Sequence, residues 1–382
     1  MRRIWAPLFA LWTLCPAGAA VEAGSPFRPA TTIPLGEERQ PAALAAGDFN
    51  RDGLMDLVLA SDGTDDLLVF LGDGLGGFRR GSSPVPAGAH PTEICVADFN
   101  HDGIPDLAIA NHATSYITVL LGDGKGGFRP APGSPVTIQS RPHPHTIDAC
   151  DANGDGNLDL VIDSWGENRL MILPGDGRGG FRGPGIPIEV GRKPYRNLRL
   201  HDFNGDGKCD IVSVSYEDGT VTLLFGNGHG GFQAAPPVPA GPAPFSVALG
   251  DLNHDSYVDL AIENYSGQIT DPSRDALTFL LGDGKGHFRL GPRLPTGHGP
   301  FDVAVGEINR DGFADAVTAD HGGQDLTVAF GGPDGLSPAR IVTVPLGRKP
   351  DRVILADFNG DGKADAVTTN SENHDLSVLL AK

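Results

Sequence analysis

A nine-residue acidic pattern, Asp-x-Asn-x-Asp-Gly-x-x-Asp, recurs seven times along the 382-residue chain. It begins at Asp48, Asp98, Asp151, Asp202, Asp251, Glu307 and Asp357, at spacings of 50, 53, 51, 49, 56 and 50 residues. A period near 50 residues marks a solenoid, a propeller or an array, because each unit buries its apolar face only against its neighbours. Within each unit the order is constant. An apolar stretch leads into the acidic loop, a short strand pattern follows it (57–60 in the first copy), and a third follows (117–121 in the second). A glycine turn such as 122–127 then delivers Phe128 and a proline-flanked fourth segment. Strands this short, joined by turns this tight and without intervening helical periodicity, are antiparallel meanders. Four strands per unit and seven units predict an all-β fold, a seven-bladed β-propeller of four-stranded antiparallel blades.

The ends of the chain predict closure. The last residues, 376–380, form a third-strand pattern, and 31–36 resemble the fourth strands at 134–138 and 341–346. The N-terminal strand therefore completes the last blade and removes the sheet edge that an open array would expose.

Residues 31–382 are read as this propeller and 24–30 as a short linker. Arg2 and Arg3, the apolar run 4–14 and small residues at 17–20 read as a secretory signal peptide over 1–23, cleaved between Ala19 and Ala23. Three cysteines remain, Cys95, Cys150 and Cys209. An odd number cannot pair completely within one chain, and their spacing fits no metal or redox motif, so buried thiols are expected. The net charge of -19 opposes nucleic-acid binding, which needs a cationic face. No second apolar run is long enough to span a membrane.

The acidic loops carry the chemistry. Positions 1, 3, 5 and 9 supply oxygen side chains and position 7 a backbone carbonyl. The first copy offers Asp48, Asn50, Asp52 and Asp56 with Leu54; the second Asp98, Asn100, Asp102 and Asp106 with Ile104. The third offers Asp151, Asn153, Asp155 and Asp159 with Asn157; the fourth Asp202, Asn204, Asp206 and Asp210 with Lys208. The fifth offers Asp251, Asn253, Asp255 and Asp259 with Tyr257. The sixth offers Glu307, Asn309, Asp311 and Asp315 with Phe313; the seventh Asp357, Asn359, Asp361 and Asp365 with Lys363. Hard oxygen donors in this number suit Ca2+, up to seven ions in all. An EF-hand would need a glutamate at position 12, where this chain has Leu59 or Ile109 within a strand pattern. The loops hold 21 carboxylates at positions 1, 5 and 9, and setting them aside turns -19 into +2. Three like charges in one loop repel until a cation neutralises them. Ser256 replaces the position-6 glycine and Glu307 the position-1 aspartate, so those two loops are expected to bind most weakly. Seven near-identical sets argue against a catalytic carboxylate pair, which needs one unique constellation.

These repeats resemble the FG-GAP/VCBS family, whose calcium-binding propeller repeats also occur at the head of integrin α subunits. The resemblance covers residues 31–382. It rests on the acidic loops and on the glycine-turn phenylalanines Phe78, Phe128, Phe181, Phe232 and Phe288, the sixth unit having Leu336 instead. It implies the propeller and calcium at the positions named above. The family includes adhesion subunits, lectin-like propellers and regions of polysaccharide-active proteins, so it does not name a ligand.

Strand alternation places the acidic loops and glycine turns on one face, and the remaining loops on the other. That other face is expected to carry His90, His143, His145, Lys193, Tyr195, Phe245, His298, Phe301 and Lys349 from inter-blade connections. The loops between second and third strands add His112, Tyr116, Trp165, Tyr216, Tyr265, His321 and His374, with the longest insertion at 266–275. Varied loops on a constant scaffold are where binding resides, and aromatic rings beside histidine stack on sugars or anchor protein partners. The reading is a secreted or periplasmic calcium-binding propeller that binds an extracellular protein or glycan. Two alternatives stay open: an extracellular enzyme acting at the histidine- and aromatic-rich face, and a purely structural calcium-stabilised module.

Overall fold

The computed structural model describes residues 24–81, 84–112, 114–138, 144–265, 275–333 and 335–382, with the backbone alone at 165 and 195–197. The segment 1–23, His143, the insertion 266–274 and the side chains of Trp165 and Tyr195 lie outside the described residues.

Seven antiparallel sheets form a ring of blades. In the first blade, Pro41–Gly47 is innermost, followed outward by Asp56–Ser61, Asp66–Gly72 and Phe78–Arg80. The six later blades repeat this order, with innermost strands Pro91–Ala97, Ile147–Cys150, Pro194–His201, Pro244–Gly250, Pro300–Gly306 and Arg352–Ala356. Each innermost strand packs against the next, and the last returns to the first. Thr31–Pro34 pairs antiparallel with Asp375–Leu379, Ile33 opposite Leu376, so the N-terminal strand completes the seventh blade as expected. Phe27 bridges Ala381 and is itself buried. No α-helix occurs among the described residues, and no helix is long and apolar enough to cross a membrane.

The second strands explain why the sequence reads as it does. Asp56–Ser61, Asp106–Asn111 and Asp259–Asn264 are buried along their whole length, because neighbouring blades cover both faces of each sheet. Their apolar runs are therefore continuous rather than alternating. The core is divided into seven clusters, each filling the seam between two adjacent blades. Leu59, fully buried in the first blade, is one such residue; truncation to alanine there costs about 2–5 kcal/mol.

The cysteines differ from expectation. Cys150 and Cys209 form a disulfide across 59 residues, and only Cys95 remains a buried free thiol among the described residues. Cys150 immediately precedes the acidic loop of blade 3 and Cys209 immediately precedes Asp210 of blade 4. The ring packs these two segments side by side, an adjacency that spacing along the chain does not reveal.

Candidate functional site

All seven acidic loops share one conformation. In each, positions 4 and 6 are left-handed: Arg51 at φ 61° and Gly53 at 84° in the first, His254 at 61° and Ser256 at 70° in the fifth. Glycine adopts this region freely, whereas other residues are held there at about 1–2 kcal/mol each. The position-4 requirement, met by Arg51, His101, His254 and Arg310 without glycine, is a feature that sequence reading missed.

The turn gathers amides around the carboxylates. Asp48 accepts from Asp52 N at 3.1 Å and from Gly53 N at 2.9 Å. Asn50 Oδ1 accepts from Asp52 N at 2.8 Å, and Asp52 Oδ1 from Leu54 N at 2.9 Å. The last two bonds recur in all seven copies. The position-9 aspartate is fully buried in every loop. Asp56 Oδ2 accepts from Phe49 N at 3.0 Å and Oδ1 from Gly72 N at 2.8 Å, tying the acidic loop to the glycine turn. A Cβ on Gly72 would lie 2.2 Å from Met55 O, so glycine is required at this position; in the seventh blade the same amide comes from Ala381, which donates to Asp365 Oδ1 at 2.8 Å. Both loops thus share one face, as strand alternation requires.

Burial pushes every position-9 carboxyl up, to about 6 at Asp106, Asp259 and Asp315, and the other carboxylates of the same loop push the same way. The donor set is one of hard oxygens bearing like charge, the chemistry that suits a divalent cation, although no loop brings three carboxylate oxygens within 4.8 Å of one another among the described residues. In loop 6 the position-5 carboxylate is paired with a cationic side chain, Arg340 Nη2 lying 3.1 Å from Asp311 Oδ2. Lys208 pairs likewise with Asp206 in loop 4, holding its carboxyl below the usual range.

On the opposite face the structure joins five of the expected residues. Tyr216, Phe245, Tyr265, Phe301 and His321 form a continuous cluster across blades 4 to 6, with ring centroids 5.1–6.3 Å apart. Phe245 is buried, while the other four are half-buried. A local device aims two of them. The inner strands open with proline, and the pairing register slips immediately after Pro244 and Pro300, so Phe245 and Phe301 sit on bulges. Bulges re-aim side chains at sheet ends. The Pro-x step at Pro91-Thr92, Pro244-Phe245 and Pro300-Phe301 was a legible but unread signal.

The remaining candidates on this face pair locally, and Lys349 is linked to the cluster through Glu372, which also meets His321 at 3.4 Å. His112 lies 4.8 Å from His145, ring to ring, and buried His145 neighbours Asp163 at 3.4 Å. His298 lies 3.4 Å from Asp275, and Lys193 pairs with Glu217 at 2.5 Å. His321 pairs with Asp351 at 2.9 Å, and Lys349 with Glu372 at 2.6 Å. Hydrogen bonding to Asp351 raises the His321 pKa. His374 Nδ1 bonds Arg39 O, and Tyr116 Oη accepts from Ala89 N. Exposed His90 meets Asp62 at 2.6 Å. Among the described residues, Asp62, Asp65 and His90 are the one group of three such side chains whose ligand atoms lie within 4.8 Å of one another. Among the described residues, the histidines therefore do not converge on one point.

The ring also encloses charge that sequence reading overlooked. A central cavity of about 380 Å3 is lined by Glu93, Arg199, Asp302 and Arg352 from four blades. Arg352 of blade 7 pairs with Glu93 of blade 2 at 2.8 Å, across blade 1, whose Leu44 lines the same cavity.

Seven four-stranded blades with an acidic loop in each define a β-propeller of repeated acidic loops. The sequence pattern of the FG-GAP-like repeat matches residues 48–109, 98–162, 202–262 and 308–368, more than half of the chain. The chain belongs to the FG-GAP-like repeat family. A comparison with characterised protein sequences gives no match. Among solved structures, the chain is similar to BBS1N in complex with ARL6DN, at 14% identity over 94% of this chain and 98% of that one, TM-score 0.63. It is similar to an Agrocybe aegerita lectin that recognises non-reducing terminal N-acetylglucosamine, at 16% identity over 89% and 85%, TM-score 0.55. A Pseudomonas aeruginosa periplasmic gluconolactonase matches at 18% identity over 80% and 88%, TM-score 0.55. At these identities the likeness concerns the fold alone.

Proposed function

We propose that this chain is a secreted, calcium-stabilised binding module whose partner, a cell-surface glycan or an extracellular protein, docks on the aromatic cluster of blades 4 to 6. The observation that carries this reading is the continuous contact of Tyr216, Phe245, Tyr265, Phe301 and His321 at one end of the ring. Half-buried rings anchored at their base present rigid apolar area at low entropic cost, and neighbouring imidazole and carboxylate groups supply hydrogen bonds. Calcium would be held by the side chains at positions 1, 3, 5 and 9 and the position-7 carbonyl of each loop. Its charge would offset the repulsion among three carboxylates and lock the turn. Secretion is supported by the basic-then-apolar character of residues 1–23 and by the Cys150–Cys209 disulfide, which suits an oxidising compartment.

The test is a glycan array together with a pull-down from extracellular material, with wild type and Tyr265→Ala. The variant is expected to lose binding by about tenfold or more while its melting temperature changes little. A variant that binds as well as wild type, or that unfolds, would assign the cluster to packing instead.

A further inference from the structure

Four of the seven seams are closed by the same pair of rings on the acidic-loop face. The turn phenylalanine of one blade meets, edge to face, the position-2 phenylalanine of the preceding blade: Phe78 with Phe358, Phe128 with Phe49, Phe181 with Phe99, and Phe288 with Phe203. A glycine of the same turn donates its N–H to the position-2 carbonyl, as in Gly126 to Phe49 and Gly286 to Phe203. The seam between blades 5 and 6 has neither feature. Position 2 is Leu252, the turn residue is Leu336, and the turn 331–336 is one residue shorter than 282–288. Gly335 N–H turns back to Gly332 O instead of crossing the seam. Where four of the other seams hold two rings, this one opens as a cavity of about 470 Å3 walled by Leu252, Phe279 and Leu336.

Three polar side chains line the same cavity: Asn253, Asp255 and Arg289. Asp255 is turned into its own loop, where its Oδ1 accepts from Tyr257 N. Exposed Arg289 takes part in no ion pair among the described residues, so a cation stands at the mouth of an apolar space. We propose that this seam binds a small aromatic carboxylate, its ring in the space that the missing phenylalanines leave and its carboxylate on the Arg289 guanidinium. A ring gains both burial and edge contacts there, and a guanidinium pairs bidentately with a planar carboxylate. The site lies on the opposite face from the aromatic cluster and stands independently of the partner proposed there.

The experiment titrates calcium-loaded full-length protein with phenylacetate, and with neutral phenylacetamide, by calorimetry or ligand-observed NMR. Wild type is expected to saturate below about 10 mM phenylacetate and to bind phenylacetamide about tenfold more weakly. Leu336→Phe, which restores the ring that other blades carry, should abolish binding and raise the melting temperature. Leu252→Phe does the same from the other side of the seam, should the first variant misfold. Arg289→Gln should weaken phenylacetate binding by about tenfold without changing the melting temperature. Absence of saturation by wild type, unchanged affinity in either phenylalanine variant, or equal affinity for the neutral amide would overturn the proposal.

Discussion

On one face of the ring, seven loops repeat the same hydrogen bonds; on the other, equivalent positions after the second strand carry Asp62, His112, Trp165, Tyr216, Tyr265, His321 and Ser371 in turn. The repeated face is constrained by its backbone. Each loop must place two left-handed residues and satisfy two amides with one buried aspartate, and in six of the seven the second amide belongs to a glycine packed against a carbonyl. Few residue types meet those demands, so the same ones return. The other face joins its turns to the next inter-blade connection by side-chain bonds across 25 residues, His90 N donating to Asp65 and Lys193 N to Asn168. Side chains there are free to differ, and a binding surface can be assembled without disturbing the blades.

The comparison breaks most readily at the metal. If all seven loops hold calcium, chelation removes about 1.4 kcal/mol per site at a free concentration ten times Kd. The expected outcome is a large fall in melting temperature, measured calorimetrically with and without chelator. A melting temperature unmoved by chelator would leave the seven loops as purely structural turns.

A single position-9 substitution tests the repetition itself. Asp106→Ala strands the amides of Phe99 and Gly122, which the carboxylate accepts at 3.0 and 2.8 Å. At about 1–3 kcal/mol for each buried group left unpaired, the loss is roughly 2–6 kcal/mol by denaturant unfolding. Asp210→Ala should cost a similar amount, because Phe203 and Gly226 make the same bonds. Widely unequal costs would show that the loops are alike in shape but not in energy.

The smallest expected effect singles out one blade on the varied side. The second strand of blade 6 ends in Asp320, where other blades have Asn111, Asn264 or Asn370. Burial is the main cause that lifts the Asp320 pKa to about 7; the nearby Asp325 charge adds to it, while hydrogen bonds from Thr327 and Thr318 oppose it. The folded value lies above the unfolded one, so the native state keeps a proton that the unfolded chain releases. This contribution is complete below about pH 4 and is lost as pH rises toward 7. Asp320→Asn, carrying the residue of the sister blades, should flatten that part of the stability profile. The readout is the wild-type minus variant difference in unfolding free energy from pH 4 to 8, taken at fixed calcium because the position-9 carboxyls titrate nearby. A difference that does not change with pH would assign the proton elsewhere.

Much of this molecule was legible because its rules are local and repeated. Residues within nine positions of one another make the acidic turn, so its identity, its count and the ring it implies could be read from spacing. The closing strand was legible too, since Thr31–Pro34 carries the pattern of the strand it replaces. The Cys150–Cys209 bond, the Arg352–Glu93 pair and the contact of Tyr216 with Phe245 join different blades, and no interval in the sequence encodes them. The same holds for the open seam at Leu252 and Leu336: each leucine is an ordinary apolar substitution until the ring sets them opposite each other. Sequence by itself determined the blade, because a blade is made by near neighbours. Only closure of the ring decided which blades meet and what lies between them, because that depends on residues of different blades, far apart in the chain, being pressed together.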